Sequence, residues 1–339
     1  MSEARLDAAL SQGLIPAPGD ARTLVIGADA DSALAQSFPD ARFVQPLQPD
    51  HDRLAAMGRA VEPDISDGPD APTFDLAIVA VPRARARAED WAARAAARLA
   101  PGGVLVLDGA KTDGIDSLWR ALRGRLDGAE TLTKAHGRVI CGRIGADRLA
   151  DLARPAAALP DGFVTGPGVF SADGPDPGSA ALAAALPARL PARIADLGAG
   201  WGWLSAQILA RPGVASLDMV EADHIALEAA RRNVADPRVR LHWADATGWR
   251  AETPLDAVVM NPPFHTGRAG DPGLGQAFIA AAAASLAPQG HLWLVANRHL
   301  PYEGALETLF RDWQDLGGGA AFKILHASRP IQTRKGARR

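Results

Sequence analysis

The stretch RIADLGAGWG, residues 193–202, decides the fold that this sequence predicts. Its first five residues are predicted to form a buried strand. Three alternate glycines follow, and because glycine lacks a Cβ they let the backbone turn tightly and approach a ligand closely. Residues 203–210 then have the pattern of a helix. The stretch therefore predicts a strand, a glycine-rich turn and a helix, which is the repeating unit of doubly wound α/β sheets.

The spacing of the glycines favours one class of cofactor. It is G-x-G-x-G and not the G-x-G-x-x-G of dinucleotide enzymes, which favours S-adenosylmethionine over NAD. Glu221 stands at the end of the next predicted strand, where an acid accepts hydrogen bonds from ribose hydroxyls; the alternative is an ordinary strand-end acid. Asp245 has two interpretations, an acceptor for the adenine amino group or a cap of the following turn. The predicted cofactor residues of this half are Asp196, Gly198, Ala199, Gly200, Gly202, Glu221, Ala222, Asp245, Ala246 and Asn261.

Strands and helices alternate along both halves of the chain, a pattern typical of parallel, doubly wound sheets. A triplet of Pro101, Gly102 and Gly103 is expected to end a helix before the strand at residues 104–107 begins. The predicted helices include residues 89–99, 203–210 and 223–234. The predicted strands are residues 23–27, 74–81, 104–107, 193–197, 216–220, 239–243, 256–260, 291–296 and 322–327.

The two halves resemble each other, which indicates an internal duplication. FDLAIVAVP from Phe74 matches LDAVVMNPP from Leu255, and RLAPGGVLVL matches SLAPQGHLWL. The first copy has GADAD at residues 27–31 where the second has GAGWG. We therefore predict two tandem Rossmann-like domains with mostly parallel seven-stranded sheets, the first of them degenerate. The predicted boundaries are 1–153 for the first domain, 154–162 for a linker and 163–339 for the catalytic domain.

The corner after residues 258–260 is where we expect the chemistry. Two consecutive prolines end the strand, because neither donates a backbone hydrogen bond. The Asn261 side-chain oxygen and the Pro262 carbonyl could then accept both hydrogens of an exocyclic amino group, so that its lone pair points at the methyl donor. Phe264 would stack on the target base; the alternatives are a turn that merely stops a strand and a packed core aromatic. The predicted catalytic residues are Asn261, Pro262, Pro263 and Phe264.

Composition excludes several classes. A length of 339 residues fits two domains, and a formal net charge of −3 excludes a globally basic nucleic-acid binder. Cys141 is the only cysteine, so no disulfide framework is expected, and a cytoplasmic, soluble monomer without a membrane segment is predicted. His265 and His299 lack a metal-ligand spacing, so no metal site is expected. Two basic groups are either RNA-contacting patches or solvated faces, namely Arg83, Arg85 and Arg87, and the tail with Arg334, Lys335, Arg338 and Arg339.

Five motifs together resemble the RsmC/RlmG family of ribosomal RNA guanine-N2 methyltransferases. They are PGVFSADG from Pro167, GS from Gly178, DLGAGWG from Asp196, NPPFH from Asn261 and VANRHLPY from Val295. The resemblance implies tandem class I methyltransferase domains, a target-base site at Asn261, Pro262 and Phe264, and S-adenosylmethionine at the glycine turn. It also implies that Val169, Phe170 and Ser171 lie over the entrance of the cofactor pocket. Asn297 and Arg298 stand at the end of the strand after the catalytic one, so we expect them to line the same cleft.

The implied substrate is a guanosine of ribosomal RNA, in the RsmC branch one of the small subunit's 16S RNA, and the implied partner is ribosomal RNA or the small ribosomal subunit. Other enzymes that methylate amino groups, on N6 of adenine or on protein glutamine, share the chemistry of the Asn-Pro-Pro-Phe corner, so these residues do not separate them. A non-catalytic RNA-binding or assembly factor and a nicotinamide dehydrogenase are the remaining alternatives from other classes.

Overall fold

The computed structural model describes residues 1–66, 68, 70–263 and 272–331. The chain divides into two compact units, one made of Met1–Ala157 with Gly166–Val169 and the other of Ala158–Thr165 with Phe170–Arg339. The predictions for Phe264, for His265 and for the basic tail from Arg334 to Arg339 lie outside the described residues. The linker predicted at residues 154–162 stays a prediction.

The first unit contains a seven-stranded sheet in the order β3-β2-β1-β4-β5-β7-β6, with β7 antiparallel to both of its neighbours. The other neighbouring strands are parallel. Its strands are β1 Thr23–Ile26, β2 Arg42–Val44, β3 Ala60–Glu62, β4 Phe74–Ala80, β5 Leu99–Ala110, β6 Asp127–Lys134 and β7 Gly137–Arg143. Its helices are α1 Glu3–Ser11, α2 Ala33–Ser37, α3 Gln48–Ala56, α4 Arg85–Ala97 and α5 Ile115–Leu122, with 3₁₀ turns at Lys111–Asp113 and Ala146–Leu152.

The second unit repeats this order as β12-β11-β10-β13-β14-β16-β15, again with the antiparallel strands at one side. Two short strands, β8 Ala157–Ala158 and β9 Val164–Thr165, precede it in the chain. Its strands are β10 Arg193–Leu197, β11 Ser216–Glu221, β12 Val239–Trp243, β13 Leu255–Met260, β14 Leu286–Asn297, β15 Phe310–Asp315 and β16 Phe322–Pro330. Its helices are α6 Pro177–Ala185, α7 Trp203–Leu209, α8 His224–Asn233, α9 Pro272–Ser285 and α10 Glu303–Leu309. The predicted fold of two mostly parallel, seven-stranded Rossmann-like sheets is confirmed.

The register of β10 determines where the functional residues meet. Leu197 pairs with Val220 of β11 on one side, and Asp196 pairs with Val259 of β13 on the other. Because all three strands are parallel, their carboxyl ends reach one edge of the sheet, where open α/β sheets bind ligands.

The same ion pair fastens the start of the central strand in both units. The Arg22 backbone and guanidinium donate to Asp75, and the Arg193 backbone and guanidinium donate to Asp256 in the same pattern. In each case the aspartate lies on the parallel neighbour of the central strand. This repeated contact supports the duplication inferred from sequence.

Two predicted boundaries were wrong for one shared reason. β5 begins at Leu99, so Pro101, Gly102 and Gly103, which were expected to precede this strand, lie within it. β14 begins at Leu286 and not at the predicted residue 291, so it includes the corresponding Pro288 and Gly290. Each segment coincides with a register shift, between Phe74 and Leu76 in the first unit and between Leu255 and Ala257 in the second. Proline is accommodated in a strand at such an irregularity because no regular ladder bond is lost there.

Apolar side chains fill both faces of each sheet, and the largest fully buried side chain is Tyr302. In the part of the chain that the structure describes, no helix is long and apolar enough to cross a membrane. Tyr302 packs against α9 at Gly275, where an added Cβ would lie 1.9 Å from the Tyr302 hydroxyl oxygen. The close approach of α9 to the core therefore requires glycine at this position.

We expect Gly275→Ala to lower the free energy of unfolding by about 1–3 kcal/mol, the usual range for an overpacked core. The buried Tyr302 ring cannot move aside without disturbing its own packing. Gly304→Ala is the matched control, since nothing lies within 4 Å of its added Cβ in α10, and alanine favours a helix over glycine. Denaturant unfolding of both variants measures the difference. Equal stability of Gly275→Ala and the wild type would contradict the packing described.

Candidate active site

The glycine turn after β10 borders open space on one side and packs against the protein on the other. Gly198, Gly200 and Gly202 all have left-handed φ values, of +78°, +56° and +91°. A Cβ at Gly200 would meet nothing within 4 Å, so this residue borders open space. A Cβ at Gly202 would lie 2.8 Å from Val234 Cγ2, so this glycine allows the turn to pack closely against the chain after α8. Gly200 faces a possible ligand, whereas Gly202 serves packing.

Glu221 fastens this turn to the end of β11. Its Oε2 accepts a hydrogen bond from the Gly200 backbone N–H at 2.8 Å, and its Oε1 accepts one from the Asp223 N–H at 2.8 Å. Burial raises the pKa of Glu221. An ionised carboxylate has about four acceptor positions, so both oxygens keep capacity for a further donor such as a hydroxyl group. The geometry fits the predicted ribose contact and adds a structural role.

Asp196 lies behind the turn and does not reach the surface. Its side chain is 0% exposed, and its Oδ2 accepts a hydrogen bond from Ser205 Oγ at 2.6 Å. Within the described residues its Oδ1 has no hydrogen-bond partner. Burial raises the pKa of Asp196 to about 7. The structure thus places this predicted cofactor residue one layer beneath the ligand-facing surface.

The cleft at the carboxyl edge of β10 brings together several of the predicted residues. Gly198, Ala199, Gly200, Asn261 and Phe170 line it. Phe170 is 59% exposed, and its carbonyl accepts a hydrogen bond from Trp201 Nε1 at 3.0 Å. Ser171, which was expected to lie over the pocket entrance together with Phe170, lines it as well. The sequence interpretation gave no site role to the remaining lining residues, which are Asp176, Ser179, Trp201, Trp203 and Leu204.

The residues predicted to surround an adenine are held by local bonds. Asp245 Oδ1 accepts hydrogen bonds from the Thr247 N–H and hydroxyl, both at 2.8 Å, which is the turn-capping geometry that was one of its two interpretations. The Ala222 carbonyl accepts a bond from Trp243 Nε1 at 2.8 Å. Ala246 is buried in the core. A role for these three residues in cofactor binding stays a prediction.

Asn261 stands at the end of β13 with a fixed side-chain amide. Its Nδ2 donates to Asp176 Oδ2 at 2.9 Å and to Ser179 Oγ at 2.9 Å. Pro262 is buried and Pro263 is exposed. Sequence reasoning missed Asp176 and Ser179, which lie more than eighty positions earlier in the chain. The available signal was DPGS at residues 176–179, an Asp-Pro start typical of a helix N-terminus.

Other predicted residues are placed elsewhere. Arg87 is 8% exposed, and its Nε donates to the Pro167 carbonyl at 3.1 Å, so its inclusion in an exposed RNA patch was wrong. Arg85 pairs with Glu89. Arg298 donates to the Gly319 and Phe322 carbonyls and is not among the side chains that line the cleft.

Across residues 1–66, 68, 70–263 and 272–331, no group of three His, Cys, Asp or Glu side chains could hold a metal ion.

Comparison with known proteins decides the family. Residues 161–326 match the family model "Methyltransferase small domain". The ribosomal RNA small subunit methyltransferase C of Pseudomonas paraeruginosa is 31% identical over 333 residues, which cover 91% of this chain and 95% of the relative. This chain belongs to the RsmC/RlmG family of ribosomal RNA methyltransferases. The ribosomal RNA large subunit methyltransferase G of Ectopseudomonas mendocina, also 31% identical, covers 78% of this chain and 73% of its own length.

A solved structure of the RsmC/RlmG family matches both units. It is the T. thermophilus 16S rRNA N2-guanine methyltransferase (RsmC) in complex with AdoMet and guanosine. Its TM-score is 0.76 at 26% sequence identity, and the match covers 94% of this chain and 90% of that one.

In this RsmC/RlmG chain the first unit keeps the backbone conformation of the first glycine of the turn, but a side chain occupies the space beside it. Gly27 has a left-handed φ of +74°, as Gly198 has. A Cβ on Gly27 would lie 2.3 Å from Trp91 of α4, whereas a Cβ on Gly198 would lie 3.5 Å from Phe278 of α9. The larger aromatic ring therefore fills the room beside the first turn.

The first unit also keeps one of the hydrogen bonds that Glu221 makes in the second unit, but with an uncharged side chain. Gln45 follows β2 as Glu221 ends β11, and its Oε1 accepts from the Leu47 N–H at 3.0 Å, the counterpart of the bond from Asp223. Its Nε2 donates to the Ala28 carbonyl, a bond that a carboxylate cannot make. In the first unit of this family member an uncharged amide with two internal hydrogen bonds thus stands where the second unit has a carboxylate.

Asp196 leads to a prediction about pH. The unfolded chain ionises this residue near the ordinary value of 3.8, whereas the folded protein holds it protonated up to about pH 7. Between these values the folded state binds more protons, so the free energy of unfolding falls as pH rises, by up to about 1.4 kcal/mol per unit.

We expect Asp196→Asn to reduce this slope between pH 5 and 7, as measured by denaturant unfolding of the ligand-free protein, and to leave the part that the raised pKa of Glu221 contributes. Asp256→Asn is the control. Arg193 lowers the pKa of Asp256, so the Asp256 carboxyl group is ionised in both the folded and the unfolded protein between pH 5 and 7. A slope that persists unchanged in Asp196→Asn would show that another group causes it.

Proposed function

We propose that this chain transfers a methyl group from S-adenosylmethionine to the exocyclic N2 of a guanosine in 16S ribosomal RNA. The observation that carries this proposal is the fixed amide of Asn261, at the end of β13 and on the same cleft as the glycine turn. Membership of the RsmC/RlmG family supports ribosomal RNA as the substrate.

The cleft residues fit S-adenosylmethionine. The open space beside Gly200 lets a ligand approach the backbone closely, and Glu221 offers acceptors for ribose hydroxyls at the adjacent strand end. Phe170 presents an exposed ring at the same cleft. When bound, the cofactor would supply an electrophilic methyl group on its sulfonium.

The protein's own contribution is orientation and electrostatics. The lone pair of an exocyclic amino group is delocalised into the base, so the group is a poor nucleophile. Asn261 Oδ1 and the Pro262 carbonyl would accept its two hydrogens, favour a pyramidal nitrogen and hold the lone pair in line for transfer. No strong base is required, because the nitrogen becomes strongly acidic once it is methylated and its surplus proton can pass to water. Pro263 would keep the corner rigid, and Phe264 would stack on the base.

The partner and the location belong to the same proposal. The substrate form is 16S RNA or the small ribosomal subunit, with a cytoplasmic monomer as the acting species. The first unit has lost two of the three glycines and the acid of its own site, and it would serve as folding partner and RNA platform.

The test is transfer of a labelled methyl group to small ribosomal subunits from cells that lack this gene, followed by nucleoside analysis. Label in N2-methylguanosine is expected. Label in N6-methyladenosine or in protein glutamine would overturn the substrate, and no label with any of these acceptors would favour the non-catalytic alternative.

We expect Asn261→Ala to bind S-adenosylmethionine with unchanged affinity and to lose about a hundredfold or more in kcat, as happens when one preorganised polar group is removed from an active site. Calorimetry measures the affinity, single-turnover methyl transfer the rate, and thermal unfolding the stability. Loss of affinity and rate in equal measure would mean that Asn261 supports the fold of the cleft.

A further inference from the structure

The amide of Asn261 has only one orientation compatible with its neighbours. Asp176 contributes a carboxylate oxygen at 2.9 Å and Ser179 a hydroxyl oxygen at 2.9 Å. An ionised carboxylate accepts hydrogen bonds and donates none. The Asn261 nitrogen must therefore face Asp176, and both of its hydrogens are used.

Asp176, which accepts the hydrogen bond from Asn261, is also part of a helix N-terminus. Asp176 Oδ2 accepts a second hydrogen bond, from the Ser179 N–H at 2.7 Å, and caps α6 in this way. Between them, Gly178 leaves room for the contact, since a Cβ there would lie 2.9 Å from Asp176 Oδ2 and 3.3 Å from the Phe322 ring. One carboxylate oxygen thus couples the start of α6 to the end of β13.

We propose that Asp176 and Ser179 are positioning residues that hold Asn261 with Oδ1, its only acceptor, toward the amino group to be methylated. An amide can rotate by 180° into a nearly isosteric arrangement that would present two donors to an amino group and oppose its binding. The anion behind Nδ2 prevents this rotation. It also polarises the amide, because charge-assisted bonds strengthen the bonds next to them, and makes Oδ1 a better acceptor. This inference rests on the proposed function.

Three variants test the inference. Asp176→Ala removes the carboxylate, Asp176→Asn keeps a neutral acceptor at the same place, and Ser179→Ala removes the second acceptor. Ser32→Ala is the matched control, because Ser32 caps α2 in the first unit through Ala35 N–H and is not among the residues that line the cleft. It should lower the midpoint of thermal unfolding by about as much as Asp176→Ala does, because both lose a helix cap, without loss of kcat.

We expect Asp176→Ala to lower kcat on small ribosomal subunits by about thirtyfold, corresponding to roughly 2 kcal/mol, with KM and the calorimetric affinity for S-adenosylmethionine within about threefold of wild type. Asp176→Asn should recover at least about fivefold of that loss, and Ser179→Ala should lose about three- to tenfold, as expected for single neutral hydrogen bonds. A wild-type kcat in Asp176→Ala, a parallel loss of cofactor affinity, or an Asp176→Asn no better than alanine would each overturn the inference.

A second readout does not depend on activity. The chain has three asparagines, Asn233, Asn261 and Asn297, so a sample labelled with ¹⁵N only in asparagine gives three side-chain amide pairs, of which Asn261→Ala identifies one. Both Asn261 hydrogens should exchange slowly with solvent in the wild type and faster in Asp176→Ala. Unchanged exchange would overturn the inference. A wild type that does not form N2-methylguanosine would instead overturn the proposed function, whatever the exchange rates show.

Discussion

The parallel register of β10 between β11 and β13 is the constraint on which the cleft depends. It carries Gly198, Glu221 and Asn261, which come from three separate strands, to one edge of one sheet. Hydrogen bonds then fix the arrangement locally, Glu221 to the glycine turn and Asn261 to the start of α6. The glycine turn and Asn261 are therefore held by the same sheet, so strand spacing sets their separation.

The first unit separates what the fold needs from what the chemistry needs. It keeps the strand order, the left-handed conformation of Gly27 and the hydrogen bond that the Leu47 N–H donates to Gln45. It lacks the second and third glycines, the acid and the asparagine. The sheet therefore tolerates Ala80 and Val81 where the second unit has Asn261 and Pro262, which favours a chemical reason for the latter pair.

Local patterns predicted the fold well because strand, turn and helix signals are short-range. The order of the strands, the glycine turn and the duplication all follow from stretches of a few residues each. The start of β5 was misplaced because pairing with β4 extends the strand through Pro101 across a register shift, which is a tertiary effect. The contact between Asp176 and Asn261 could not be predicted, since nothing in either stretch indicates that α6 begins beside β13. Similarly, the charge of Arg87 suggested a solvent-exposed side chain. Only the structure shows that this side chain is buried and donates to the Pro167 carbonyl.

The Arg–Asp pair at the start of each central strand separates the anchoring residues of the sheet from its site residues. Arg22 with Asp75 and Arg193 with Asp256 use the same backbone and guanidinium donors, so this fastening belongs to the scaffold that the two copies share. The replacements that distinguish the copies, in the glycine turn and after β4 and β13, lie at the opposite edge of each sheet. Anchoring residues and site residues thus stand at opposite ends of the same strands, where one set can change while the other is retained.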